Sequence, residues 1–135
     1  MKTAIILSGV SGSGKSTYAQ FLESLNPAGT VICTADDYFV SNGQYNFDAT
    51  KLKDAHNYCQ TKFRAACQAG CEVVVCANTN VRTGDRSLYI KIAEDNGYQV
   101  FSVGMENIHN MGSIHEVPEE TIIRQRIQLK NSFVF

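Results

Sequence analysis

Apolar residues follow two rhythms along this chain, and the switch between them recurs. Short, nearly unbroken apolar runs at Thr3 to Leu7, Val31 to Thr34, Glu72 to Cys76 and Gln99 to Val103 read as strands, and the valine-rich third run reads as a central strand covered on both faces. Between these runs lie segments of helical character. Lys15 to Leu25 is the first, stopped by Asn26-Pro27. A longer one opens at Asp48, a good helix cap, and runs to Ala69, with Leu52, Ala55, Cys59, Phe63 and Ala66 recurring every three or four residues along one stripe and Gly70 as its stop. Thr83 caps a third helix over Gly84 to Asn96, with Leu88, Ile92 and Ala93 inward and Gly97 closing it. Pro118 opens a fourth over Glu119 to Lys130. The stretch Asp36 to Phe47 fits neither rhythm; it is polar, aromatic and Gly-bearing, and it predicts a loop.

Strands alternating with helices at this spacing predict an α/β fold in three layers, a parallel sheet flanked by helices. In such sheets ligands collect outside the carboxyl ends of the strands. The segments delivered to that edge are Gly9 to Ser16, Thr34 to Tyr38, Ala77 to Asn80 and Gly104 to His115. Length, charge and cysteines narrow the class. A chain of 135 residues is expected to form one domain that buries roughly two thirds of its unfolded surface. A formal net charge of −1 excludes the global basic field of a dedicated nucleic-acid binder and leaves room for a local basic cleft. The cysteines, Cys33, Cys59, Cys67, Cys71 and Cys76, are odd in number and form no C-x-x-C pair, so they read as small core residues in a reducing compartment rather than a disulfide or zinc framework. The N-terminal apolar run is too short for a signal segment or a membrane span, which predicts a cytoplasmic protein without a membrane partner.

The chemistry starts at Gly9-Val10-Ser11-Gly12-Ser13-Gly14-Lys15-Ser16, the pattern G-x-x-x-x-G-K-[ST] directly after a strand, which is the phosphate-binding P-loop in its required context. Gly9, Gly12, Ser13 and Gly14 let successive backbone N–H groups turn toward one point, and the helix carrying Lys15, Ser16 and Thr17 adds its positive end. Lys15 brings a full charge to the β- and γ-phosphates, and the Ser16 hydroxyl can join a Mg²⁺ shell, so ATP and Mg²⁺ are the expected cofactors. The fold expected is therefore the P-loop NTPase fold. Asp36 and Asp37 follow the second strand; Asp36 is the candidate carboxylate for an acceptor hydroxyl and a second candidate metal residue, while Asp37 is assigned to the acceptor. Asn78 and Asn80, with Arg82, are further candidates for the acceptor. A guanidinium on developing phosphoryl charge has cis candidates in Arg82, Arg86, Arg124 and Arg126, with the latter two following a Gly- and Met-bearing lid segment. His56 reads as a structural residue on the inner or boundary face of the long helix, and His109 and His115 lie in the lid segment without metal-ligand spacing. No N-K-x-D guanine-reading stretch occurs.

The ordered series G-V-S-G-S-G-K-S-T, A-D-D-Y-F, F-D, A-H-N-Y-C, N-T-N, G-Y-Q-V, E-N-I-H and H-E-V-P-E-E resembles the small P-loop kinases related to the 5′-kinase domain of bacteriophage polynucleotide kinase, in the AAA-like ATPase group that also holds zeta-toxin-type kinases. The likeness covers nearly the whole chain. It implies phosphate and Mg²⁺ roles for Lys15 and Ser16, a general base in Asp36, and a lid over ATP in Asn107 to Pro118. There are departures: Phe39 stands where such kinases place an arginine toward the acceptor, Ile108, Gly112 and Ser113 occupy lid positions where relatives carry one, and Ala77 replaces an acid before Asn-Thr-Asn. Three readings stay open. The first is a kinase acting on a hydroxyl such as the 5′-OH of a polynucleotide, the second a nucleotide or small-molecule kinase, and the third an ATP-binding regulatory module with little catalysis.

Overall fold

A computed structural model describes residues 1–106 and 117–132. Its elements run β1 (Thr3–Gly9), α1 (Lys15–Leu25), β2 (Thr30–Cys33), β3 (Val40–Ser41), β4 (Gln44–Tyr45), α2 (Leu52–Ala69), β5 (Val73–Ala77), α3 (Thr83–Asp95), β6 (Gln99–Met105) and α4 (Glu119–Ser132). The main sheet has the order β2-β5-β1-β6 with every pairing parallel, and Ile5 of β1 stands between Val75 and Phe101. β1 and β5 are inner strands, which explains why their sequences are apolar on both faces.

Alternation along each strand divides the core into two layers. Ala4, Ile6, Val74 and Cys76 meet α2 and α3, where Phe63 packs edge-to-face on Tyr89 with ring centroids 5.1 Å apart. Leu7, Val75 and Ala77 face the other way and receive Ala19 of α1. Such edge-to-face aromatic pairs add about 1 kcal/mol beyond the area they bury.

The α/β expectation and all four main strands are borne out, while several local assignments change. Leu88 and Leu52, expected inward, are exposed, and Tyr89 and Arg86 take the buried positions on α3. His56 is on the exposed face of α2. Asp48 caps a 3-10 turn over Ala49–Lys51, accepting from the Thr50 N–H at 2.9 Å and its hydroxyl at 2.6 Å, and this turn feeds α2. At the start of α3 the cap comes from Asp85, whose Oδ2 accepts from the Arg82 N–H at 3.2 Å, rather than from Thr83. Asp36 to Phe47 is ordered structure: a 3-10 turn over Asp36–Phe39, then the antiparallel pair β3–β4. Asn42 and Gly43, with φ of 52° and 78°, make its tight turn. Positive φ at both central residues matches the strand twist, which is why Asn-Gly is the favoured pair there.

Candidate functional site

β1 ends at Gly9, and the loop that follows leads into α1 at the carboxyl edge of the sheet. Gly12 and Gly14 hold φ of 83° and 92°, a left-handed backbone that turns loop amides inward and that an L side chain resists. A methyl group at Gly9 would collide with Ser13 Oγ and come within 2.9 Å of the Met105 carbonyl, so this end of the loop admits only glycine without rearrangement. The first i→i−4 bond of α1 runs from the Tyr18 N–H to the Gly14 carbonyl at 3.0 Å. The amides of Lys15, Ser16 and Thr17 therefore precede the helical ladder, in the position where anions are taken.

Lys15 folds back over this loop, donating from Nζ to the Gly9 carbonyl at 2.8 Å and the Val10 carbonyl at 2.9 Å. Burial pulls its ammonium down to about 8, with Asp36 acting in the opposite direction. Ser13 Oγ is buried and, among the described residues, has no hydrogen-bond partner. A desolvated cation, a buried hydroxyl of this kind and inward amides fit a polyphosphate. Ser16, on the exposed first turn, and Asp36, on an exposed turn, line one cleft; these hard oxygen donors suit Mg²⁺.

That cleft has a volume of about 590 Å³ and lies along α1 and β2. It brings together Ser16, Asp36, Asp37, Tyr45 and Lys62, with Ala77 at the end of β5. Asp37 pairs with Lys62 at 3.8 Å, and its N–H donates to Thr34 Oγ1 at 3.1 Å. Tyr45 donates to Asp36 Oδ1 at 3.3 Å. Burial, then the Asp36 charge, pushes the Tyr45 phenol up to about 12.

The remaining candidates stand elsewhere. Asn78 and Asn80 are buried and turned inward rather than toward an acceptor. Asn78 Oδ1 accepts from the Ala35 N–H at 2.8 Å, and its Nδ2 lies 3.4 Å from Cys59 Sγ and 3.5 Å from the Tyr89 hydroxyl. It braces the residue that precedes Asp36. Asn80 Nδ2 donates to the Leu7 carbonyl at 2.8 Å, pinning the start of the phosphate loop. Arg82 is an exposed surface residue whose Nε lies 3.5 Å from Asp85. Arg86 is a buried clamp: it donates to the Asn80 carbonyl at 2.8 Å and, from Nη2, to the Ser132 carbonyl at 3.0 Å. Arg124 and Arg126 sit on α4, the first exposed and the second half-buried. Between them Gln125 accepts from the Ser11 N–H at 3.1 Å, a loop contact that sequence reasoning missed. Asn107, Ile108, His109, Gly112, Ser113 and His115 of the expected lid lie outside the described residues.

A parallel sheet with a phosphate loop at its carboxyl edge defines this as a P-loop kinase-like nucleotide-binding domain. The chain belongs to the AAA domain family, whose model matches residues 5–131. It is 35% identical over 96 residues to the human NEDD4-binding protein 2, a match covering 71% of this chain and 5% of that protein. It is 27% identical over 141 residues to a putative bifunctional polynucleotide kinase/RNA ligase of Autographa californica nuclear polyhedrosis virus, covering 98% of this chain and 19% of that protein. The chain thus spans only a small part of these curated relatives. Among solved structures, a chain of the Pnkp1/Rnl/Hen1 RNA repair complex aligns with a TM-score of 0.73 at 17% identity, covering 99% of this chain and 47% of that one. That likeness is one of fold. Among the described residues no helix is long and apolar enough to cross a membrane.

Proposed function

We propose that this domain is an ATP- and Mg²⁺-dependent phosphotransferase that moves the γ-phosphoryl group to an acceptor hydroxyl, the 5′-OH of a polynucleotide being the leading acceptor. The observation that carries the reading is that Ser16, on the first turn after the phosphate loop, and the Asp36 carboxylate open into one cleft. Loop amides and Lys15 hold phosphate charge, and Asp36 orients the acceptor hydroxyl and takes its proton as that oxygen bonds to the γ-phosphorus and the bond from the phosphorus to the β–γ bridging oxygen breaks, with ADP leaving. Ser16 and Asp36 would hold Mg²⁺, which when bound neutralises phosphate charge. The polynucleotide acceptor draws support from the kinase named in the viral relative. The free cysteines, four of them buried, favour a reducing, cytoplasmic setting.

A small-molecule acceptor is the second reading, and a specific observation favours it: the cleft lining carries Glu23, Asp36 and Asp37 against Lys62, a poor match for a polyanion. Labelled ATP offered with 5′-OH oligonucleotides and with small alcohols decides between them. Transfer to the oligonucleotide, with acceptor binding that weakens steeply in salt, supports the first reading. Transfer to a small alcohol with a flat salt response supports the second. In either case Asp36→Ala is expected to lower the rate by about a hundredfold or more. ATP binding without transfer to any acceptor overturns both and leaves a regulatory module.

A further inference from the structure

We propose that Tyr45 is a positioning residue that holds the Asp36 carboxylate in its working orientation, and that the β3–β4 hairpin exists to present it. The inference rests on the transferase reading above and adds a residue to it. Asp36 sits on a short 3-10 turn, exposed on the wall of the cleft. A carboxylate that must meet an incoming hydroxyl needs a defined plane, because small misplacements of a reacting group are costly.

The hairpin supplies a hydrogen-bond donor held by packing. Its strands pair Val40 with Tyr45 and Ser41 with Gln44, and the Asn46 N–H returns to the Phe39 carbonyl at 2.8 Å. The Tyr45 ring stacks on Phe47 with planes 15° apart and meets Phe39 at 6.2 Å. Held from two sides, it delivers its hydroxyl to Asp36 Oδ1 at 3.3 Å on the wall of the cleft. That distance is longer than a tight O–H···O bond.

The test is a double-mutant cycle read by transfer kinetics, with kcat, acceptor KM and ATP Kd measured separately. Tyr45→Phe is expected to lower kcat about tenfold while acceptor KM and ATP Kd stay within about twofold of wild type. In an Asp36→Asn background the same change should cost nothing further, since the carboxylate it orients is gone. Equal losses in both backgrounds overturn the proposal, because a merely structural tyrosine would add its effect to any variant. A wild-type protein that transfers phosphate to no acceptor overturns the transferase reading and the positioning role with it, whereas wild-type transfer with equal losses in the two backgrounds overturns the positioning role alone.

Discussion

The phosphate loop and the proposed acceptor corner around Asp36 share one edge of the sheet and are made of different materials. The loop is backbone: Gly12 and Gly14 in left-handed conformations, amides ahead of the helical ladder, and one lysine that reaches no farther than the carbonyls of Gly9 and Val10. The corner is side chain: Asn78 bracing Ala35 across 43 residues, Tyr45 reaching back to Asp36, and Asp37 paired with Lys62. A backbone site needs a fixed order of neighbouring residues and therefore leaves a short motif. A side-chain site needs only that partners meet in space, and its sequence trace is diffuse.

The sharpest way to break this contrast is Lys15→Ala. ATP affinity should fall by about 3 kcal/mol, a hundredfold or more, with little change in melting temperature, because the loss is of charge-assisted contacts to phosphate. Isothermal titration with ATP and magnesium measures it, and a retained dissociation constant would mean that the loop works without its cation.

Asn78→Ala should act the other way round. Removing a buried amide leaves the Ala35 N–H without the acceptor it has at 2.8 Å, which costs about 1–3 kcal/mol of stability. ATP affinity should stay near wild type while transfer falls, since the brace supports the turn that carries Asp36. Thermal unfolding and single-turnover transfer measure the two effects, and a loss of ATP binding equal to the loss of transfer would erase the division between loop and corner.

The smallest effect comes from pH. Lys15 in the nucleotide-free protein loses its proton around 8, and phosphate binding favours the charged form, raising that value. ATP affinity should therefore be level below about 8 and weaken above it, by up to about tenfold per pH unit. Lys15→Arg keeps its charge and should flatten the curve; a slope that survives the change would assign the titration to another group.

What could be read from the sequence follows the same division. The strands, their parallel sense and the loop were legible because periodicity and a contiguous motif carry them, while the strand order came only from the structure. The β3–β4 hairpin left a signal, Asn42-Gly43 between short strands, that the polar and aromatic surroundings masked as a loop. On α3 Ile92 and Ala93 are buried as expected and only Leu88 gave way to Tyr89, because a hydrophobicity count favours leucine at the core while packing on Phe63 favours the ring. Asn78, Asn80 and Arg86 could not be read as internal struts. Their partners are backbone carbonyls, an N–H and thiols brought near by the fold, and carbonyls and N–H groups look alike in any sequence.

Arg86 and Ser132 carry a practical lesson for anyone redrawing the boundaries of this domain. The serine hydroxyl donates to the Val81 carbonyl at 2.6 Å, and its own carbonyl takes the guanidinium at 3.0 Å, so the final turn of α4 completes the interior it closes over. Seven residues upstream, Gln125 of the same helix touches the phosphate loop. A fragment cut ahead of α4 would keep every letter of the loop motif yet expose a guanidinium seat and strip the loop of a neighbour, so the shortest piece worth expressing ends no earlier than Ser132.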